Sequence, residues 1–262
     1  MRAFFQSIIK RFKRTRLYYE IQRSRQIKSL KQNLDHPNPE YRKILQTVDK
    51  DGICIVENFM PKEECDRLIK DLDVAFNQIK EGTFDGMHQY NHEKLIRIGD
   101  LNDYVESTNI FFHNPMFDEI AKAYVDPKAY SYRREAELRD NVNEFQQADI
   151  PHIDDWRLRF KFFLYLTDVG PENAPFVYYK GTHKDEPWKY RKNFEYERDG
   201  QDGAYGHYHP QEMRALSKKI KLEPTVCTGK AGTLIIGDFR GIHNGSPLKA
   251  GRRILLNSTY GI

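Results

Sequence analysis

No run of apolar residues in this chain approaches the roughly eighteen that a membrane-spanning helix needs. Cysteine is scarce. Cys54, Cys65 and Cys227 are scattered and form no CxxC pair, which argues against a disulfide framework and a cysteine-ligated zinc site and points to a reduced, cytoplasmic compartment. Internal repeats and low-complexity tracts are also missing. The N-terminus lacks the uninterrupted apolar stretch of a standard signal peptide, because Lys10 and Arg11 break it too early. A strong overall charge is absent as well, since the net value is only +4. Residues 1–31 alone carry +9, with Glu20 as their one acid, so residues 32–262 carry −5. A mildly acidic main body is a poor nucleic-acid binder, and none is expected as a partner.

What is present suits one good-sized domain with an appendage. The 262 residues are 39% hydrophobic and 13% aromatic, enough for a core rich in Phe and Tyr. A mean hydropathy of −0.77 with 31% charged residues fits a water-soluble surface. Phe4, Phe5, Ile8, Ile9 and Phe12 fall on one face of a basic N-terminal helix. That face suits packing on the main domain or a partner chain, and the charge suits peripheral contact with an anionic membrane through residues 1–31. We therefore divide the chain into a basic helical segment with its linker, 1–45, and a main domain, 46–262. Within the domain, 51–58 reads as a strand. Pro61 then opens a helix whose apolar stripe is Cys65, Leu68, Ile69, Leu72, Ala75, Phe76 and Ile79. A second helix runs from about Pro115 to Val125. Beyond residue 130 the pattern turns to short β-type runs, at 160–167, 175–179, 232–237 and 254–260. Between them, 184–217 reads as a long polar loop spiked with Tyr and His, either solvated or a lid.

Two histidines and one carboxylate can hold iron(II) on one face and leave three adjacent positions open. His152-x-Asp154 on an extended segment points both side chains the same way, and His243, after the run 233–236, supplies a distant third donor. Each piece alone arises easily by chance. Two neighbouring arginines, Arg252 and Arg253, would face opposite sides of a strand, so only one can enter a site. A guanidinium's planar fork matches a carboxylate. Lys161, inside an apolar strand, is either an inward anion binder or an edge residue reaching water, and Tyr165 shares its face.

The ordered string around these pieces is more specific. Pro151-His-Ile-Asp-Asp-Trp156 is followed by Lys161-Phe-Phe-Leu-Tyr-Leu-Thr-Asp168 and by Glu172-Asn-Ala-Pro-Phe-Val-Tyr-Tyr-Lys-Gly-Thr-His183. It closes with Gly232-Thr-Leu-Ile-Ile-Gly-Asp238-Phe-Arg-Gly-Ile-His243-Asn-Gly-Ser246 and Gly251-Arg-Arg253. Over about residues 48–262 this resembles the phytanoyl-CoA dioxygenase family of iron(II)/2-oxoglutarate oxygenases. Ala174-Pro175 stands for the usual Gly-Pro, and Lys180-Gly-Thr-His183 for the usual Pro-Gly-Ser-His. The resemblance implies a mainly β fold with flanking helices, built on a double-stranded β-helix of jelly-roll or cupin-like type. It implies His152, Asp154 and His243 as iron ligands, Arg253 as the grip on 2-oxoglutarate and His183 as a turn support; Ser246, near the distal histidine, and Lys161, by their places in the chain, are candidate further co-substrate contacts. Iron(II), 2-oxoglutarate and O2 would then hydroxylate an unactivated C–H of a small organic substrate, a specialised metabolite or sugar, releasing succinate and CO2. Two rival readings are a non-catalytic jelly-roll binder and a zinc-dependent hydrolase. Complete ligands argue against the first, and Arg253, for which a hydrolase has no use, against the second.

Overall fold

Prolines and their capping asparagines place the helices that carry the large sheet. The structure is a computed structural model that describes residues 6, 12, 15–29, 33–91, 95–140, 146–199 and 206–262. Helix α1 (Arg16–Ser29) comes first. Helix α2 (Pro39–Asp51) starts at Asn38, whose side chain accepts from the Glu40 and Tyr41 amides, and ends at Gly52 with φ of 85°. Helix α3 (Lys62–Glu81) has Glu63 and Glu64 in its first turn and buries Cys65, Leu68, Leu72, Ala75, Phe76 and Ile79. Helix α4 (Pro115–Tyr124) is capped by Asn114 in the same way as α2. Both central-domain helices read from the sequence are therefore present.

The strands are β1 (Ile53–Val56), β2 (His88–Asn91), β3 (Leu95–Ile98), β4 (Tyr130–Arg139), β5 (Phe160–Tyr165), β6 (Phe176–Tyr179), β7 (Pro224–Cys227), β8 (Leu234–Asp238), β9 (His243–Asn244) and β10 (Arg253–Gly261). They form a seven-stranded sheet, β1-β8-β5-β10-β4-β3-β2, and a three-stranded sheet, β7-β6-β9. Alternation sorts the large sheet's two faces. Phe160, Phe162, Leu164, Ile236, Ile254 and Leu256 pack against α2, α3 and α4. Tyr165, Ile235 and Leu255 face the small sheet with Phe176 and Tyr178.

The mainly β, double-stranded β-helix expected from the resemblance is not what forms. The fold is mixed α/β, 39% helix and 25% strand, and its sheets are open. Among the described residues, strands β1 and β2 end the large sheet unpaired on their outer sides, and β9 is only two residues long. Among the described residues no strand pairs from one sheet to the other. Helix is gained where the sequence looked looped: the insertion folds into α5 (Tyr190–Asp199) and α6 (Pro210–Ser217). Their apolar sides, Phe194, Tyr196, Met213 and Leu216, join a separate core with Trp156 and Ile242.

That core also corrects the reading of the N-terminus. Tyr19 of α1 is fully buried, with ring centroids 5.1 Å from Trp156, 5.2 Å from Tyr190 and 5.8 Å from Phe194. Arg23 pairs with Asp185 at 2.8 Å, and Gln26 Nε2 donates to the Trp156 carbonyl at 3.3 Å. A peripheral membrane or partner contact through residues 1–31 is thus not supported, because the helix spends its buried face on its own chain. No described helix is long and apolar enough to cross a membrane. Phe4, Phe5, Ile8 and Ile9 lie outside the described residues, and Phe12 is exposed.

Candidate metal centre

His152 and His243 come from segments that pair side by side. His152 N–H donates to the His243 carbonyl at 2.8 Å, and His243 N–H returns the bond at 2.9 Å. Each ring is then fixed by its own backbone. His152 Nδ1 lies 2.7 Å from the Ile150 carbonyl oxygen, and His243 Nδ1 lies 2.8 Å from that of Gly241. A carbonyl only accepts, so Nδ1 carries the hydrogen and Nε2 presents its lone pair. Both Nε2 atoms face Asp154 Oδ1, at 3.8 and 3.4 Å, and the three donor atoms lie within 4.8 Å of one another. The second carboxylate oxygen, Oδ2, sits 2.5 Å from Lys161 Nζ.

Electrostatics keeps His152 and Asp154 in the forms a divalent ion needs. Burial, aided by His243, lowers His152 to about 3, so its ring is neutral at pH 7. Burial alone would raise Asp154, but Lys161 and His243 outweigh it and hold the carboxyl well below its usual range. A neutral His152 ring and an ionised Asp154 are the forms in which imidazole and carboxylate bind a metal.

The ligand-bearing segment is clasped by the insertion. Ile153 N–H donates to Gly206 O at 3.0 Å, Tyr208 N–H to Pro151 O at 2.6 Å, and Tyr196 Oη–H to the Asp154 carbonyl at 2.9 Å. A Cβ on Gly206 would stand 2.5 Å from the Ile153 carbonyl, so only glycine allows this approach. His207, read as part of a lid, instead bridges His152 through the backbone. Trp156 is buried against α1 and donates to Glu197 at 2.9 Å.

The triad opens into a cavity of about 240 Å³ floored by the inner face of the large sheet. Arg253 reaches this cavity, buried, opposite Arg139 in the β10–β4 register. It donates to the Ala174 carbonyl and to Glu137 Oε1, while its Nε is buried with no acceptor. Ala174 holds φ of 55°, the left-handed conformation that the family's usual glycine adopts freely. Arg252 points outward to Asp73, with contacts of 2.9 and 3.1 Å. Lys161 lines the cavity but is engaged by Asp154. Ser246 offers its backbone carbonyl to Arg139 at 3.1 Å and is not among the cavity-lining residues. His183 lies elsewhere, with Nε2 3.0 Å from the Asp49 carbonyl at the end of α2.

Sequence reasoning missed Arg97, Glu137 and Arg139. Glu137 accepts from Arg97 at 2.6 Å, from Arg139 at 3.2 Å and from Arg253. Burial pushes its carboxyl up, yet the three guanidiniums outweigh burial and hold it ionised far below the ordinary glutamate range. A signal existed: Arg133, Glu135, Glu137 and Arg139 alternate along β4 on one face.

Comparison with known proteins agrees with this geometry. The family model for phytanoyl-CoA dioxygenase (PhyH) matches residues 48–253. The fold is similar to the non-heme α-ketoglutarate-dependent epimerase SnoN from nogalamycin biosynthesis, with a TM-score of 0.60, 14% identity, and 85% of this chain and 83% of that one covered. It is similar also to HygX from Streptomyces hygroscopicus, solved with nickel and 2-oxoglutarate, with a TM-score of 0.58, 14% identity, and 84% and 86% covered. The carbocyclase SnoK, from the same pathway as SnoN, gives a TM-score of 0.60 at 13% identity, with 87% and 85% covered. No curated protein matches in sequence. The chain belongs to the phytanoyl-CoA dioxygenase family. It is an iron(II)- and 2-oxoglutarate-dependent dioxygenase.

Proposed function

We propose that His152, Asp154 and His243 hold one iron(II) ion, and that Arg253 receives the distal carboxylate of 2-oxoglutarate, in an oxygenase unit spanning 46–262. The carrying observation is the pair of tied-back imidazoles whose Nε2 atoms converge on Asp154 Oδ1. The unpartnered Arg253 Nε, buried in the same cavity, supports the second assignment, because a buried donor without an acceptor is costly until a ligand supplies one. When bound, iron(II) and 2-oxoglutarate supply O2 activation: a substrate C–H becomes C–OH as 2-oxoglutarate and O2 yield succinate and CO2.

The chain's own residues do the rest. Lys161 occupies Asp154 Oδ2, so the carboxylate offers one oxygen and leaves neighbouring positions open. Phe163, Phe176 and Phe239 line the cavity and exclude water around the triad. Glu137 spreads three guanidiniums that would otherwise repel one another, and so holds Arg253 in place. We assign the outcome as hydroxylation of a small organic substrate.

Anaerobic loading with iron(II), followed by 2-oxoglutarate titration and succinate assay, tests this reading. Metal-dependent 2-oxoglutarate binding and slow succinate release in the iron form alone are expected. Equal binding without metal, or hydrolysis supported by zinc, would overturn it.

A further inference from the structure

The cavity's charges do not close, and the imbalance identifies the kind of substrate. Among the described residues, five cations and three carboxylates line it. Asp149, 3.0 Å behind Arg139, brings the carboxylates to four and leaves one positive charge in excess. Iron(II) and the 2-oxoglutarate dianion cancel one another, so the proposed loaded site keeps that excess. A net positive cavity draws an anionic ligand toward it.

The excess has an address. Along the inner face of β4 the side chains open progressively to solvent: Arg139 is 4% exposed, Glu137 10%, Glu135 13% and Arg133 57%. Arg133 therefore stands at the mouth. Its nearest carboxylate, Glu135, is 3.9 Å from Nε and accepts a 2.8 Å bond from Asn257, and among the described residues the terminal nitrogens of Arg133 have no hydrogen-bond acceptor. Thr259 opposes both Arg133 and Lys161, which puts the three on one rung across three strands. Arg133 is thus two strand spacings, about 10 Å, from the lysine that touches Asp154. Arg253, opposite Arg139, lies at the other end of the row.

We infer that the substrate carries an anionic group, a carboxylate or a phosphate, received by Arg133 at the cavity mouth while its reacting carbon reaches the metal. The inference rests on the proposed function, and adds a substrate class to it. A planar fork suits either anion, and a span on the order of 10 Å limits the separation between that group and the reacting carbon.

Calorimetry on the full chain loaded with nickel(II) tests it, using phenylacetate, phenyl phosphate and neutral phenylacetamide as probes in saturating 2-oxoglutarate. At least one anion should bind roughly tenfold or more tighter than the amide, the yield of one charge-assisted bond. The tighter of the two tells carboxylate from phosphate. The preference should collapse in Arg133→Gln and persist in Arg252→Gln, which removes a charge outside the cavity. An amide that binds as well, a preference that survives Arg133→Gln, or no binding of either anion overturns the inference. The preceding 2-oxoglutarate titration separates the two failures. If 2-oxoglutarate itself does not bind, the proposed function fails; if it binds and the anions show no preference, only the substrate class does.

Discussion

The two ends of the cavity are built by different means. At the arginine end, Arg139 and Arg253 ride on strands of ten and nine residues, and a continuous ladder sets which side chains point inward. At the metal end, His152 and Asp154 ride on a segment with one isolated bridge to each neighbour. Their position depends on the insertion and, behind it, on α1. One end is held by local periodicity, the other by contacts between residues far apart in sequence. Local periodicity tolerates small losses, whereas a clasp fails piece by piece.

The largest expected effect is at the metal end. Asp154→Ala or His243→Ala should abolish 2-oxoglutarate turnover and metal binding while the far-ultraviolet circular dichroism stays unchanged. Undiminished turnover in Asp154→Ala would remove the triad from the mechanism.

Next comes the carboxylate beneath the arginines. Glu137→Gln leaves Arg97 and Arg253 without the carboxylate they pair with, only Arg139 keeping Asp149, and removing one partner of a buried ion pair costs about 3–5 kcal/mol. A urea midpoint that does not move would show that the arginine end is also held from elsewhere. The sign with pH follows from the depressed carboxyl. Glu137 stabilises the fold above the unfolded glutamate range and loses this contribution as pH falls, so the wild-type advantage over Glu137→Gln should shrink in acid.

Arg253→Lys should raise the KM for 2-oxoglutarate about ten- to a hundred-and-fifty-fold, because an ammonium cannot replace the fork. Arg252→Lys, whose side chain pairs with exposed Asp73, should change it less than about twofold. Similar effects in both would mean that neither serves a dedicated carboxylate pocket.

The smallest effect sharpens the comparison most. Tyr196→Phe removes one bond to the Asp154 carbonyl, worth about 1 kcal/mol, or roughly fivefold in metal affinity. Removal of residues 1–29 should weaken metal binding further, since it strips Tyr19 from Trp156 and α5. Unchanged affinity in both would make the insertion a passive cover.

Much of the site was legible in the order of residues. The spacing of His152 and Asp154 places two donors on one side, and the alternation that sends Arg253 inward sends Arg252 out to Asp73. The apolar stripe of α3 and the alternating faces of β5 were readable for the same reason: side-chain direction follows backbone period, which is a local property. The charged row on β4 was equally available and went unread.

Tertiary structure alone decided the rest. Little local apolar pattern marks α5 as helical, because it has little apolar surface of its own and gains its partners only by meeting Tyr19 and Trp156. Nor does spacing reveal that Tyr19, more than 130 positions from the ligands, packs behind them, or that Glu137 gathers Arg97, Arg139 and Arg253 around one carboxylate. The open mixed α/β architecture was hidden for the same reason. A strand's period sets its faces, but whether two sheets close on each other depends on which edges find partners, and that is settled by the packing of the whole chain.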